Sequence, residues 1–254
     1  MNTKKINDIK NELQAADEHM LPLLLVSYEK DTRAGVQKLL IKYNKQIQKL
    51  AVERQRTEHM KHYEYMYGQY ESICGIDEAG RGPLAGPVVA GAVILPKDKE
   101  LLYLNDSKKL SASKREELFD VIMEHAVAVG VGIVDSQVID QINILQATYR
   151  AMREAVQNLE IIPDILLNDA VTIPQISIRQ VPIIKGDAKS ISIAAASIIA
   201  KVTRDRIMKE YAKLYPEYGF LSNKGYGSAA HIEALKKYGS SPIHRVSFIK
   251  HFVS

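Results

Sequence analysis

A single cysteine, Cys74, stands in the 254 residues, so an internal disulfide framework is impossible and a reducing compartment is the natural setting. No Cys/His cluster with ligand spacing occurs either, which argues against a zinc site. Long apolar runs are missing as well. Residues 21–26 form the longest early one, well short of the roughly 20 residues that span a bilayer. It is also too short for a signal-peptide core, and Asp17 and Glu18 precede it. The chain is therefore read as cytoplasmic, with no membrane partner. Internal repeats and low-complexity tracts are absent. So are the G-x-x-x-x-G-K-[ST] spacing and the dinucleotide fingerprint, which removes the usual sequence grounds for nucleotide binding. Charge of one sign is not in large excess. The 34 basic and 30 acidic side chains leave a net charge of +4, which permits a polyanionic partner without requiring one.

What is present suffices for a buried core, with 46% of residues hydrophobic and 25% charged. Two textures divide the chain. Residues 1–70 are expected to form a helical N-terminal extension. Val36, Leu39, Leu40, Tyr43, Ile47 and Leu50 recur at the spacing of one apolar helical face, and Lys38, Lys42, Lys45 and Lys49 follow the same period beside it. Such a stripe is either a solvated surface or a track for phosphates, where each contact adds affinity through counterion release. A soft domain boundary falls near Gly68, after a tyrosine-rich segment. Across residues 71–254 strand and helix signals alternate. Strands are expected at 72–77, 88–95, 126–134, 164–167 and 176–184, and helices at 144–159, 188–214 and 228–238, the last with Gly239 as its C-cap. Ala194, Ala195 and Ala196 would let the long helix lie close on a sheet. The expected class is α/β, a mixed central sheet flanked by helices.

Acids stand where strands end. In Gly75-Ile76-Asp77-Glu78-Ala79-Gly80-Arg81-Gly82-Pro83 an apolar strand runs into two adjacent carboxylates and then a glycine-rich turn. Neighbours on a strand face opposite ways, so Glu78 can join Asp77 only if the chain is already turning there. Gly80 and Gly82 make that plausible and expose backbone N–H groups beside the acids. Asp169 follows the apolar run 165–167 and also sits at the C-terminal end of a strand, where α/β sheets place their sites. Asp187 precedes the long helix, and its position by itself suits an N-cap. Several carboxylates gathered together make sense only if cations reverse their sign. Hard oxygen ligands suit two divalent cations, Mg²⁺ or Mn²⁺, roughly 3.5–4 Å apart.

The motif around Asp77 resembles the first signature of the ribonuclease HII family, the bacterial type 2 ribonucleases H. Three more stretches agree in order and spacing: Asn105-Asp106-Ser107-Lys108-Lys109-Leu110, then Lys185-Gly186-Asp187-Ala188-Lys189-Ser190 running into 192–197, and Gly225-Tyr226-Gly227 followed by His231, Tyr238, His244 and Arg245. The likeness covers about residues 72–250. It implies a ribonuclease H-like fold in 71–254 and a four-acid centre of Asp77, Glu78, Asp169 and Asp187, replacing the reading of Asp187 as a cap. It implies further that Gly80, Arg81 and Gly82 sense the ribose 2′-hydroxyl, the group that tells RNA from DNA. Tyr226 would pack on the neighbouring sugar, and Lys108, Lys189 and Ser190 would contact phosphates. The substrates implied are RNA–DNA hybrids and duplex DNA containing ribonucleotides, cut by an enzyme expected to be monomeric. The Gly-Arg-Gly turn distinguishes the chain from ribonuclease HIII, which acts on long hybrids without junction preference. Rival readings are such a hybrid nuclease, a non-catalytic hybrid-binding protein, and a transposase or recombinase of the same fold. Two departures stand out: Ala170 occupies a position that is Gly in many members, and the N-terminal extension is long for the family.

Overall fold

Apolar residues three and four apart dictate helices at the start of the chain, and four are present: α1 (Ile6–Ala15), α2 (Met20–Tyr28), α3 (Ala34–Met60) and α4 (His62–Met66). This computed structural model describes residues 4–252. The chain divides into two compact units, the first ending at Arg56 and the second beginning at Thr57. In the first, Ile9, Leu13, Leu21, Leu25, Val36, Leu40 and Tyr43 bury one another. Lys38, Lys42, Lys45 and Lys49 are all exposed. Among the described residues, no helix is long and apolar enough to cross a membrane.

The second unit is built on a five-stranded sheet of β1 (Ile73–Ala79), β2 (Val88–Ile94), β3 (Ala128–Val134), β4 (Ile165–Asp169) and β5 (Arg179–Ile183), in the order β3-β2-β1-β4-β5. β2 pairs antiparallel with β1 and β3, whereas β1, β4 and β5 run parallel. The sheet is therefore mixed, as expected. Between and after the strands come α5 (Ala112–His125), α6 (Ser136–Gln157), α7 (Ile191–Leu214), α8 (Phe220–Asn223), α9 (Ala229–Tyr238) and α10 (Val246–Ile249).

Alternation along the strands sorts the core into two layers. Cys74, Ile76, Val88, Ala90, Ala92 and Leu166 face one way, toward Ala147, Ala151 and Ala155 of α6. On the other side Val93 meets Ala194, Ala196 and Ile198 of α7, backed by Leu118 and Ile122 of α5. Small residues bring both helices close. A Cβ on Gly75 would lie 2.1 Å from the Ser192 carbonyl carbon, and one on Gly132 would lie 1.9 Å from the Ala151 carbonyl oxygen. Cys74 is wholly buried in the α6 layer, and burial pushes its thiol up to about 12, so it packs as a small apolar residue.

Several elements differ from the periodicity reading. α5 is additional to it. α6 begins at Ser136 because Asp135 caps it, accepting from the Val138 N–H at 2.8 Å. At Asn143 the helix breaks (φ 66°), and the Asn143 side chain caps the second half, whose apolar period was the visible one. β1 runs on through Ala79, so the chain is not turning at Glu78.

Gly132→Ala must push α6 away from β3. A stability loss of about 2–3 kcal/mol is expected in urea denaturation, with turnover retained below the unfolding midpoint, because the clustered acids lie on the α7 side. An unchanged midpoint would contradict the close layer packing.

Candidate active site

Parallel pairing brings the acids together. Gly75 of β1 is level with Leu167 of β4, so Asp77 and Asp169, each two residues further on, end neighbouring strands side by side. Both share the strand parity that faces α7. β5 lies next to β4, with Ile183 paired to Asp169, and the chain leaving β5 enters a 3-10 turn at Gly186–Ala188 that carries Asp187. Three parallel strands thus deliver three carboxylates to one C-terminal edge. Their ligand atoms lie within 4.8 Å of one another. Asp187 does not cap α7: Ser190 does, accepting from the Ile193 N–H at 3.3 Å.

Asp77 is buried, and one of its carboxylate oxygens accepts from the Glu78 N–H at 2.7 Å. Asp169 accepts from the Gly186 N–H at 2.7 Å, which pins the turn bearing Asp187 to the end of β4. Burial, then Glu78 and Asp169, hold the Asp77 carboxyl well above the usual carboxylate range. Burial, then Asp106 and Asp169, raise Asp187 likewise. Glu78 lies outside the trio. It has the opposite strand parity, and its carboxylate meets the Arg81 guanidinium at 3.3 Å. Burial raises its pKa, offset in part by Arg81. Lys108 is the nearby cation: burial depresses its ammonium, but the charges of Asp77, Asp106, Asp187 and Asp169 outweigh that and raise it.

A cleft beside the trio is lined by Glu78, Gly80, Arg81, Gly82, Ser107, Lys108, Ser197, Lys201, Arg204 and Tyr226. Gly80 is required there, since its φ is +96° and a Cβ would lie 2.1 Å from Arg204 Nε. Two buried arginines fix the loop after β1. Arg245 donates to the carbonyls of Gly80 (2.6 Å), Arg81 (2.8 Å) and Gly86 (2.8 and 3.0 Å). Arg204 donates to those of Pro87 (2.9 Å), Ala85 (3.1 Å) and Lys224 (3.0 Å). Tyr226 is half exposed, with its ring 5.9 Å from the Arg204 guanidinium. Lys189 is exposed just after the Asp187 turn. Ser190 is wholly buried and donates its hydroxyl to Glu64 at 2.6 Å, facing inward.

Asp106, Arg204 and Glu64 belong to the site's surroundings without a role in the sequence motifs. Asp106 caps a short 3-10 turn by accepting from the Lys108 N–H at 2.9 Å, inside a motif already noted for its lysine. Arg204 did leave a signal. It falls on the buried row Ala196, Ala200, Arg204, Met208 of α7, where a lone charge marks a buried partner network. Glu64 gives no local sign of its contact with Ser190. Ala170, in the place of a glycine, adopts the left-handed region at φ 58°.

A carboxylate trio at the C-terminal edge of a mixed sheet in this strand order defines a hydrolytic nuclease of the ribonuclease H-like class. Solved structures agree. Ribonuclease H2 from Pyrococcus horikoshii is 29% identical and superposes with a TM-score of 0.59 over 71% of this chain and 98% of that one. Ribonuclease HII of Archaeoglobus fulgidus, solved with PCNA, is 29% identical with a TM-score of 0.61 over 70% and 94%. Family models for ribonuclease HII and for the ribonuclease HII N-terminal domain match residues 74–251 and 5–68. The ribonuclease HII of Lachnoclostridium phytofermentans is 60% identical over 98% of both chains. The chain belongs to the ribonuclease HII family and is a type 2 ribonuclease H, a nuclease that acts on RNA–DNA hybrids. The N-terminal segment is accordingly not foreign to the family: residues 5–68 match the model of its N-terminal domain, and the Lachnoclostridium phytofermentans relative aligns over 98% of both chains.

Two outcomes follow from the geometry. A carboxyl whose folded pKa is raised favours the fold while protonated; that contribution is present below about pH 4 and lost as pH rises through the raised value. Asp77→Asn is therefore expected to stabilise the metal-free protein at neutral pH by about 1–2 kcal/mol in thermal denaturation, and to lessen the gain in Tm on adding Mg²⁺. A metal-free Tm below that of the unaltered protein would argue against the repulsion. Separately, Ala170→Gly relieves a left-handed alanine and should raise stability by about 1 kcal/mol; a loss of stability would show that Ala170 is not strained.

Proposed function

We propose that the enzyme cuts on the 5′ side of ribonucleotides embedded in duplex DNA, and within the RNA strand of hybrids, leaving 3′-hydroxyl and 5′-phosphate ends. One observation carries this reading: the acid trio adjoins a cleft that also holds the Gly80-Arg81-Gly82 turn and Tyr226. The donor set fits hard divalent cations. It consists of carboxylates alone, and their mutual repulsion calls for positive charge. Asp77, Asp169 and Asp187, joined by Glu78, would hold two such ions, Mg²⁺ or Mn²⁺. When bound, the pair supplies an activated water and charge stabilisation at the leaving oxygen.

The chain's own residues do the rest. With the carbonyls of Gly80 and Arg81 held by Arg245, the N–H side of the turn serves the ribose 2′-hydroxyl. The Tyr226 ring stands beside Gly82, where a Cβ would lie 3.7 Å from its Cε1, and packs on the adjoining deoxyribose. Lys108 and Lys189 contact phosphates. Ser190 acts from within, fixing the start of α7 through its cap and its bond to Glu64. The N-terminal segment of residues 1–70 adds phosphate contacts through Lys38, Lys42, Lys45 and Lys49, while residues 71–254 carry out catalysis. The role is cytoplasmic removal of misincorporated ribonucleotides, by a monomer.

The test is a labelled DNA duplex with one ribonucleotide, incubated with and without Mg²⁺ or Mn²⁺ beside an all-DNA duplex. A single metal-dependent cut 5′ to the ribonucleotide is expected. Asp169→Asn should lower it on the order of a thousandfold, the effect of losing several kcal/mol of charge stabilisation. Cleavage of a long hybrid but not of this duplex would withdraw the 2′-hydroxyl reading, and inactivity on both with either metal would sink the proposal.

A further inference from the structure

Two buried histidines stand behind Tyr226. His231 and His244 lie with their Nε2 atoms 2.9 Å apart, and Tyr218 and Phe220 pack against both rings. At one end His231 Nδ1 is 2.8 Å from the Tyr226 carbonyl oxygen. At the other, His244 Nδ1 is 2.9 Å from the Ser241 amide nitrogen and 2.8 Å from its hydroxyl.

The end partners decide where the protons sit. A carbonyl only accepts, so His231 Nδ1 carries a hydrogen. A backbone N–H only donates, so His244 Nδ1 is bare. With both rings neutral, the remaining hydrogen belongs to His244 Nε2 and points at the bare His231 Nε2. The two ends arrive independently at one directional chain, from Ser241 through His244 and His231 to the Tyr226 carbonyl. Burial, and for His244 also the neighbouring His231, hold both imidazoles below their ordinary value, His244 at about 4.

The histidine chain is a second anchor for Tyr226: the Leu84 N–H already holds the Gly225 carbonyl at 2.8 Å, on the N-terminal side of the residue, whereas the histidines hold the carbonyl on its C-terminal side. Gly225, at φ +87°, and Gly227 flank it without side chains to pack. Its carbonyl also accepts from the Ser228 N–H at 2.8 Å, but that bond is local. Among the described residues, the histidine chain ties this carbonyl to the segment at 241–244, which in turn joins the loop after β1 through the Ala85–His244 bridge and the Arg245 N–H to the Leu84 carbonyl at 2.8 Å.

We propose that His231 and His244 are positioning residues for ribonucleotide discrimination, setting through the Tyr226 main chain the stance of its ring beside Gly82. The inference rests on the reading of Tyr226 given above. Its test exploits two near-isosteres. Asn places a nitrogen donor where Nδ1 lies, and Gln places one where Nε2 lies. The readout is the ratio of kcat/KM on a duplex with one embedded ribonucleotide to kcat/KM on a long hybrid. His231→Gln removes the donor to Tyr226 and should lower that ratio about tenfold, the effect of one lost buried hydrogen bond, chiefly through KM. His231→Asn keeps the donor to Tyr226 but leaves the His244 Nε2–H without its acceptor, so it should lower the ratio by no more than about threefold, and in a Tyr226→Ala background His231→Gln should add nothing.

Equal loss on both substrates, equal behaviour of the Asn and Gln variants, or an effect that persists without the Tyr226 ring would overturn the proposal. If Tyr226→Ala leaves the ratio unchanged, the reading of Tyr226 fails; if it lowers the ratio and His231→Gln does not, only the relay fails. Should His231→Gln not fold, ¹⁵N spectra of the histidine rings in the unaltered protein decide the matter. Hydrogens on His231 Nδ1 and His244 Nε2 are expected, and the opposite tautomer on either ring overturns the chain.

Discussion

Gathering carboxylates out of water is the constraint on which the second unit depends. Asp77, Asp169 and Asp187 lose hydration and repel one another, so the backbone must hold them against their own electrostatics. Parallel strands accomplish this. Hydrogen bonds along β1, β4 and β5 fix the register of the strand ends, and the Asp169 bond to the Gly186 N–H fixes the turn that follows. The restraint lies in the sheet ladder rather than in the acids themselves, and the cluster is left with a demand for positive charge that Lys108 meets only in part.

Close layering makes that restraint stiff. α7 lies against β1 with no room for a methyl at Gly75, two residues before Asp77, and Ser190 starts the helix three residues after Asp187. The same helix presents Arg204 to the carbonyls of the loop after β1. One rigid element therefore references both the acids and the cleft wall. Arg245 references that wall from the far end of the chain, because a guanidinium offers several donors in a fixed fork to carbonyls that only accept. The cleft is a loop made rigid by buried polar groups, which an apolar core could not have shaped so specifically.

The acids, the glycine-rich turn and the alternation of strands and helices were legible in the sequence because each is local: a strand that ends in Asp, a turn that needs Gly80, an apolar period of two or of 3.6. The order of strands in the sheet was not, since it depends on which strands become neighbours, and the acid centre of Asp77, Glu78, Asp169 and Asp187 came from the family resemblance rather than from local pattern. Glu78 illustrates the limit. Sequence places it beside Asp77, whereas the strand continuing to Ala79 turns it toward Arg81. Ser190 is expected from its motif to contact a phosphate, whereas it is a buried cap bonded to Glu64, more than a hundred residues away.

Residue type and local periodicity were enough for the class of fold and the carboxylate chemistry, and the resemblance of four spaced motifs was enough for the family. The geometry by which the acids meet, the arginines that hold the loop carbonyls, and the path from His231 and His244 to Tyr226 came from the folded chain. Those contacts join residues distant along the chain, and burial alone gives their hydrogen bonds and shifted protonation any consequence.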